Sequence, residues 1–268
     1  MANKKRRNKR MDRRQRWAAI IALVLAVAMA LSAIGAYAGH LLSRGDAGTV
    51  DPGQQVDPEA MREYCLERIA SDEKYIEEHG PKVGVLSELC ECYRLLLQME
   101  RSAEEADEAA VAEYESDLKR YSRDLVELEP DKPQYRLDLL KLYRETGEDD
   151  DTIAGEIKAL RKVLRKKADP GTSLELIRFM KSSEQPEKII NDEIARLKDH
   201  FKGLTAEEKM TGIDRYYYAV LLGDHLEKRA AALEQLDLIL ETESPEGELY
   251  KAAEYYREVL QEEEEETE

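Results

Sequence analysis

The chain has little of what catalysis, metal binding or a disulfide framework requires. Its 268 residues include three Cys, four His and one Trp. Cys65, Cys90 and Cys92 are odd in number, in a chain too long to depend on disulfides. Cys90 and Cys92 stand two apart on a helical stretch and point to different sides, so they do not pair with each other. Small buried hydrophobes are the plain reading, and a Cys65–Cys90 or Cys65–Cys92 bridge stays open. No Cys/His spacing resembles a zinc site. None of His40, His79, His200 and His225 lies in a Ser–His or Cys–His context. There is no glycine-rich phosphate loop, no HExxH and no EF-hand loop. Asp149-Asp150-Asp151 lacks the spaced oxygens calcium needs and reads as the negative start of a helix. We therefore expect a non-enzyme with no cofactor and no metal.

Gly and Pro are few, and Glu, Lys, Leu, Ala and Arg dominate, which favours helix. Charge is unevenly placed. Residues 1–16 hold nine of the 41 Lys/Arg and one of the 58 Asp/Glu, so the rest carries 32 against 57, a net charge of −25. The basic head belongs beside an anionic surface, and the acidic remainder is not expected to bind nucleic acid.

From Trp17 to Ser43 there is no Asp, Glu, Lys or Arg. As a helix, Trp17–Leu42 extends about 39 Å, enough to cross a hydrocarbon layer of about 30 Å. It is apolar all round, which calls for lipid or a large protein core. Trp17 and Tyr37 lie about 30 Å apart along the axis, where interfacial rings sit. The excess of Lys/Arg before the run puts the N-terminus in the cytoplasm and everything after Ser43 across the membrane. A cleaved signal is the alternative, because Ala36-Tyr37-Ala38 fits a small-x-small site with release after Ala38. A buried core helix is the third reading. Gly35 and Gly39 form a GxxxG beside a second small row, Ala28, Ser32 and Ala36, so the span is a candidate for homodimer packing as well as for lipid contact. The basic head also suits anionic lipid. No Asn-x-Ser/Thr acceptor occurs, and with the alanine-rich span this favours a bacterial cell envelope.

Residues 43–57 begin SRGDAGTVDPGQQV, rich in Gly, Asp and Pro, and read as a flexible spacer. Their Arg44-Gly45-Asp46 is a chance tripeptide. Residues 263–268 close an acidic, solvated tail.

A repeat organises the remainder. Residues 137–164 and 174–201 align without gaps at an offset of 37. Leu137/Leu174, Leu139/Leu176, Ile153/Ile190, Glu156/Glu193, Ile157/Ile194 and Leu160/Leu197 are identical. Leu140/Ile177, Leu142/Phe179 and Leu164/Phe201 stay apolar. Each window is a short apolar helix, a polar break and a longer amphipathic helix. Weaker copies lie at 86–94 and at 216–240, the latter setting Gly223 on Gly147. Asp57-Pro58 and Ser244-Pro245 place a cap before Pro at a first helical position. Ser102-Ala103-Glu104-Glu105 and Thr205-Ala206-Glu207-Glu208 have the form of capping boxes. The pattern predicts ten helices, at 58–79, 83–100, 103–127, 133–146, 150–168, 172–182, 186–201, 206–223, 226–242 and 245–262.

These units resemble tetratricopeptide repeats. In the unit starting at Pro133, Tyr143 holds the eleventh place and Gly147 the fifteenth, and Tyr93 holds the eleventh place of the preceding unit. The period is 37, not 34. The family's small residue at place eight is replaced by Leu140, Ile177 and Cys90, and its Trp is missing. The resemblance covers about 83–262 and implies, for a helical repeat domain at 58–262, an all-α stack of helical hairpins whose concave face binds a protein or peptide. It implies further that places nine and twelve of each first helix line that groove. Those places hold Lys141 and Arg144, then Arg178 and Lys181, with Arg94 at the twelfth place of the earlier unit beside Glu91 at the ninth. Such cations hold carboxylates; pairing with acidic neighbours is the plain alternative. The asparagines that grip carboxylates in some members have no counterpart here. Tyr216, Tyr217 and Tyr218, with Tyr250, Tyr255 and Tyr256, are a second candidate surface. Three consecutive Tyr cannot share one helix face, so at least one is expected to be exposed, unless the set seals the last helix. The expected protein is a membrane-anchored scaffold holding a partner outside the cytoplasm, or a released binding module.

Overall fold

In a computed structural model, the described residues are 57–265. They form ten α-helices and no strand. In chain order these are α1 (Pro58–His79), α2 (Val83–Ser102), α3 (Glu108–Leu128), α4 (Pro133–Glu145) and α5 (Asp150–Lys166), then α6 (Pro170–Ser182), α7 (Glu187–Ala206), α8 (Gly212–Val220), α9 (Arg229–Thr242) and α10 (Glu248–Glu265). A π-helical turn, Leu221–His225, extends α8. The candidate membrane segment, Gly35 and Gly39, the Ala38 cleavage position and the Arg44-Gly45-Asp46 tripeptide all lie outside the described residues. Among the described residues no helix is long and apolar enough to cross a membrane.

The 37-residue repeat is a repeat of buried positions. Every apolar pair from Leu137/Leu174 to Leu164/Phe201 is buried on both sides. Apart from Leu142, which packs into the core of the preceding helices, these side chains form one core across α4 to α8. A second core joins α1, α2 and α3, and a third joins α8, α9 and α10. The hairpins α4–α5, α6–α7 and α8–α9 each pack internally. The first helices also pack on one another, α4 on α6, α6 on α8 and α8 on α10.

Helix ends follow local chemistry. Asp149 accepts from the Thr152 amide at 2.9 Å and starts α5, as expected of the acidic triplet. Asp169 accepts from the Thr172 amide at 3.0 Å, with Pro170 in the first turn, so α6 begins two residues before the sequence pattern put it. Gly147 ends α4 at φ +71°, and the Glu148 amide donates to the Tyr143 carbonyl at 2.9 Å. One period later, Glu184 takes the same left-handed place at φ +52°, and the Gln185 amide donates to Met180 at 3.0 Å.

Further boundaries differ from expectation. Ser102 is the last residue of α2, its hydroxyl donating back to the Met99 carbonyl, and Asp107 caps α3 instead. The buried Glu100 accepts from the Asp107 amide at 3.0 Å and holds the intervening loop. Thr205 lies inside α7, donating to Phe201, and the cap of α8 is Thr211, which forms a reciprocal box with Asp214. Ser244-Pro245 sits in a turn closed by the Gly247 amide on Ser244, so α10 starts at Glu248.

Candidate partner-binding surface

Four of the five candidate cations form a connected track across the first helices, and Arg94 adds its charge at the near end. Each of the later four reaches forward onto the next first helix. Lys141 on α4 pairs with Glu175 on α6. Arg144 on α4 lies over the Phe179 ring of α6, 4.5 Å from its centroid, and donates to the Ser182 and Ser183 hydroxyls. Arg178 on α6 donates to Asp224 at 3.0 Å. Lys181 on α6 donates to His225 Nδ1 at 2.9 Å. The exposed Arg94 on α2 acts on the half-buried Asp138 of α4 through its charge. The spacing i, i+3 puts both cations of a helix on one face, and the same spacing recurs at the 37-residue offset.

The π turn builds the far end of this track. A π turn inserts one residue into the helical ladder, and here it aims Asp224 and His225 back at α6. The Lys228 amide closes it on the Leu222 carbonyl at 2.8 Å, with Glu227 left-handed at φ +53°. Gly223 is therefore not a helix terminator like Gly147, as the repeat alignment had it. Its role is clearance: a Cβ there would stand 2.5 Å from the Tyr256 hydroxyl. That hydroxyl donates to Asp224 at 2.6 Å, so Asp224 ties Arg178 and α10 together.

The electrostatics are set by partial burial. Asp138 is raised above the ordinary carboxyl range by burial, against the opposing pull of Arg94 and Lys141. Burial lowers the Lys181 ammonium, and Asp224 and Glu227 oppose it. His225 is pushed down to about 4, first by burial and then by Lys181. An ammonium only donates, so His225 Nδ1 is the acceptor and the ring proton sits on Nε2, which is buried without a hydrogen-bond partner. Lys141 and Arg178 thus spend their charge on carboxylates, whereas Arg144 and Lys181 hydrogen-bond only neutral groups. Two half-satisfied cations one helix apart suit an incoming carboxylate.

The tyrosines do not form an exposed face. Tyr216, Tyr217 and Tyr218 are all half-buried, which corrects the expectation that at least one stands free. They escape the one-face constraint because three neighbours surround α8. Tyr216 meets Tyr256 of α10 edge-on at 6.3 Å, Tyr218 meets Phe201 of α7 at 5.0 Å, and Tyr217 lies against Gly171 of α6. Tyr255, on α10, is the exposed member. Sequence reasoning missed Asp138, Glu175, Phe179 and Asp224 as the partners that hold the track; only the i, i+3 cation spacing pointed toward it. Cys65, Cys90 and Cys92 are buried free thiols. Among the described residues no three His, Cys, Asp or Glu gather as a metal site.

No protein family, curated protein or solved structure matches this chain.

Proposed function

We propose that this protein is a membrane-anchored, non-enzymatic scaffold. Residues 17–42 hold it in the bilayer with residues 1–16 on the cytoplasmic side, and the helical domain recruits a partner outside the cytoplasm. The domain is read as a tetratricopeptide-like stack of hairpins. First-helix-on-first-helix packing through α4, α6, α8 and α10 supports that reading, as does the core periodicity at 37 residues. The partner presents a carboxylate-bearing segment, acidic or C-terminal, to the cationic track.

The observation that carries the binding reading is the pair Arg144 and Lys181, both exposed and both bonded only to neutral groups. The charge-reversed variant Arg144→Glu/Lys181→Glu tests it. Crosslinking in native membranes captures a partner with the parent chain and loses it with the variant. A variant that keeps every partner removes the track from the binding surface. The second reading, a module released after Ala38, is favoured by Ala36-Tyr37-Ala38 alone. The mass of the mature chain separates the two.

A further inference from the structure

The strongest unused chemistry lies between α1 and α2. Residues 80–82 join the two helices, which pack against each other. So short a connection makes them antiparallel neighbours. Two ion pairs fix their register: Arg62 donates to Glu100 at 3.0 Å, and Arg68 pairs with Glu88. Cys65 lies midway between the two arginines. Cys92 lies between the two glutamates. Cys65 is fully buried and Cys92 is 5% exposed, in one shared core. The register set by the two ion pairs brings Cys65 and Cys92 to the same level of the α1–α2 seam, where each thiol bears on the other's ionisation. Cys90 faces elsewhere, with its sulfur 3.6 Å from the Ser122 hydroxyl of α3.

We propose that Cys65 and Cys92 are a disulfide-forming pair that staples α1 to α2, with Cys90 left as a free thiol. The bridge encloses residues 66–91 and ties down the helix that follows the linker. Closure in the cell rests on the proposed extracytoplasmic placement, because cytoplasmic thiols are kept reduced.

The oxidant is a disulfide, carried by a thiol oxidase or by glutathione. The Cys65 thiolate attacks one sulfur of that disulfide and expels a thiolate, leaving a mixed disulfide on Cys65. Cys92 loses its proton and attacks the Cys65 sulfur, expelling the second thiolate. Two protein thiols become one disulfide. The oxidant's disulfide becomes two thiols, which take up both protons, and two electrons pass to it. Attack by Cys92 first gives the same balance and the same bridge. Burial means that the reaction proceeds before α1 docks or during its local opening.

The test uses the full chain purified in detergent, equilibrated with oxidised and reduced glutathione, alkylated in denaturant and mapped by mass spectrometry. The expected product is a single cross-linked pair of peptides carrying Cys65 and Cys92, with Cys90 alkylated. Its Tm should exceed that of the reduced chain by about 5 °C or more. Cys65→Ser and Cys92→Ser each abolish the product, and Cys90→Ser forms it normally. Three alkylated thiols in oxidising buffer, or a main bridge through Cys90, overturn the proposal. The thiol state in cells separates this from location. A bridge that forms in the purified chain but is absent in cells upholds the pair and refutes the extracytoplasmic placement.

Discussion

Arg161 of α5 reaches across to Glu193 of α7, with Nε 3.3 Å from Oε2, and so joins one 37-residue unit to the next. Glu193 is fully buried and also accepts from Arg196 at 2.5 Å, while Arg196 donates to Ser173 of α6 at 2.7 Å. One period earlier, the equivalent Glu156 pairs with Arg136 of α4 at 2.7 Å. Ser173 stands at the place of Arg136, so the two units serve the equivalent glutamate, half-buried at 156 and fully buried at 193, with arginines from different helices. Glu193→Ala leaves two arginines without their shared acceptor. It is expected to destabilise the fold by about 2–4 kcal/mol, read by urea denaturation. The triple change Arg161→Met/Glu193→Met/Arg196→Met removes all three charges and is expected to recover most of that loss.

Glu184 occupies a left-handed turn where its repeat mate is Gly147. A side chain there costs about 1 kcal/mol relative to glycine. Glu184→Gly is therefore expected to raise stability by about 0.5–1 kcal/mol in the same denaturation experiment. Gly147→Glu is expected to lower it by a similar amount.

Gly223 gives Tyr256 the room to reach Asp224. Gly223→Ala displaces that ring and breaks a charge-assisted hydrogen bond, for an expected loss of about 1–3 kcal/mol. The loss should be local: amide exchange on α10 accelerates, while α4 and α5 keep their protection.

His225 is neutral in the fold, and its pKa of about 4 lies below the ordinary 6.5. The unfolded chain thus binds the extra proton first. The stability contributed by neutral His225 is full above pH 6.5 and is lost as pH falls through 6.5 toward 4. The Lys181 and Arg178 cations oppose protonation of the ring, and Asp224 favours it. Allowing for solvent at the partly exposed ring, the loss is expected to reach about 1–2 kcal/mol. His225→Asn should flatten the slope of stability against pH across that window.

Much of the fold was legible because the buried layer repeats. Leu160 and Leu197, or Leu140 and Ile177, recur at 37 because each fills the same site in its hairpin. The misread boundaries have a common cause. Ser102 and Thr205 precede glutamates as capping boxes require, yet near a helix C-terminus their hydroxyls bond back to Met99 and Phe201. A four-residue pattern does not say which side of it is helical. The π turn left no signature, so Asp224 and His225 could not be placed against Arg178 and Lys181. The cations themselves were legible from their i, i+3 spacing, but their partners lie on the next hairpin, 34 to 46 residues away.

The membrane placement is tested most directly by protease access in intact cells whose outer layers, but not the bilayer, admit the enzyme. With epitopes at residue 1 and after residue 268, the helical domain and the C-terminal epitope should be digested before lysis, while the N-terminal epitope survives on a short fragment. A domain that is spared in intact cells and cut only after lysis is cytosolic, and a scaffold on the far side of the membrane is then ruled out.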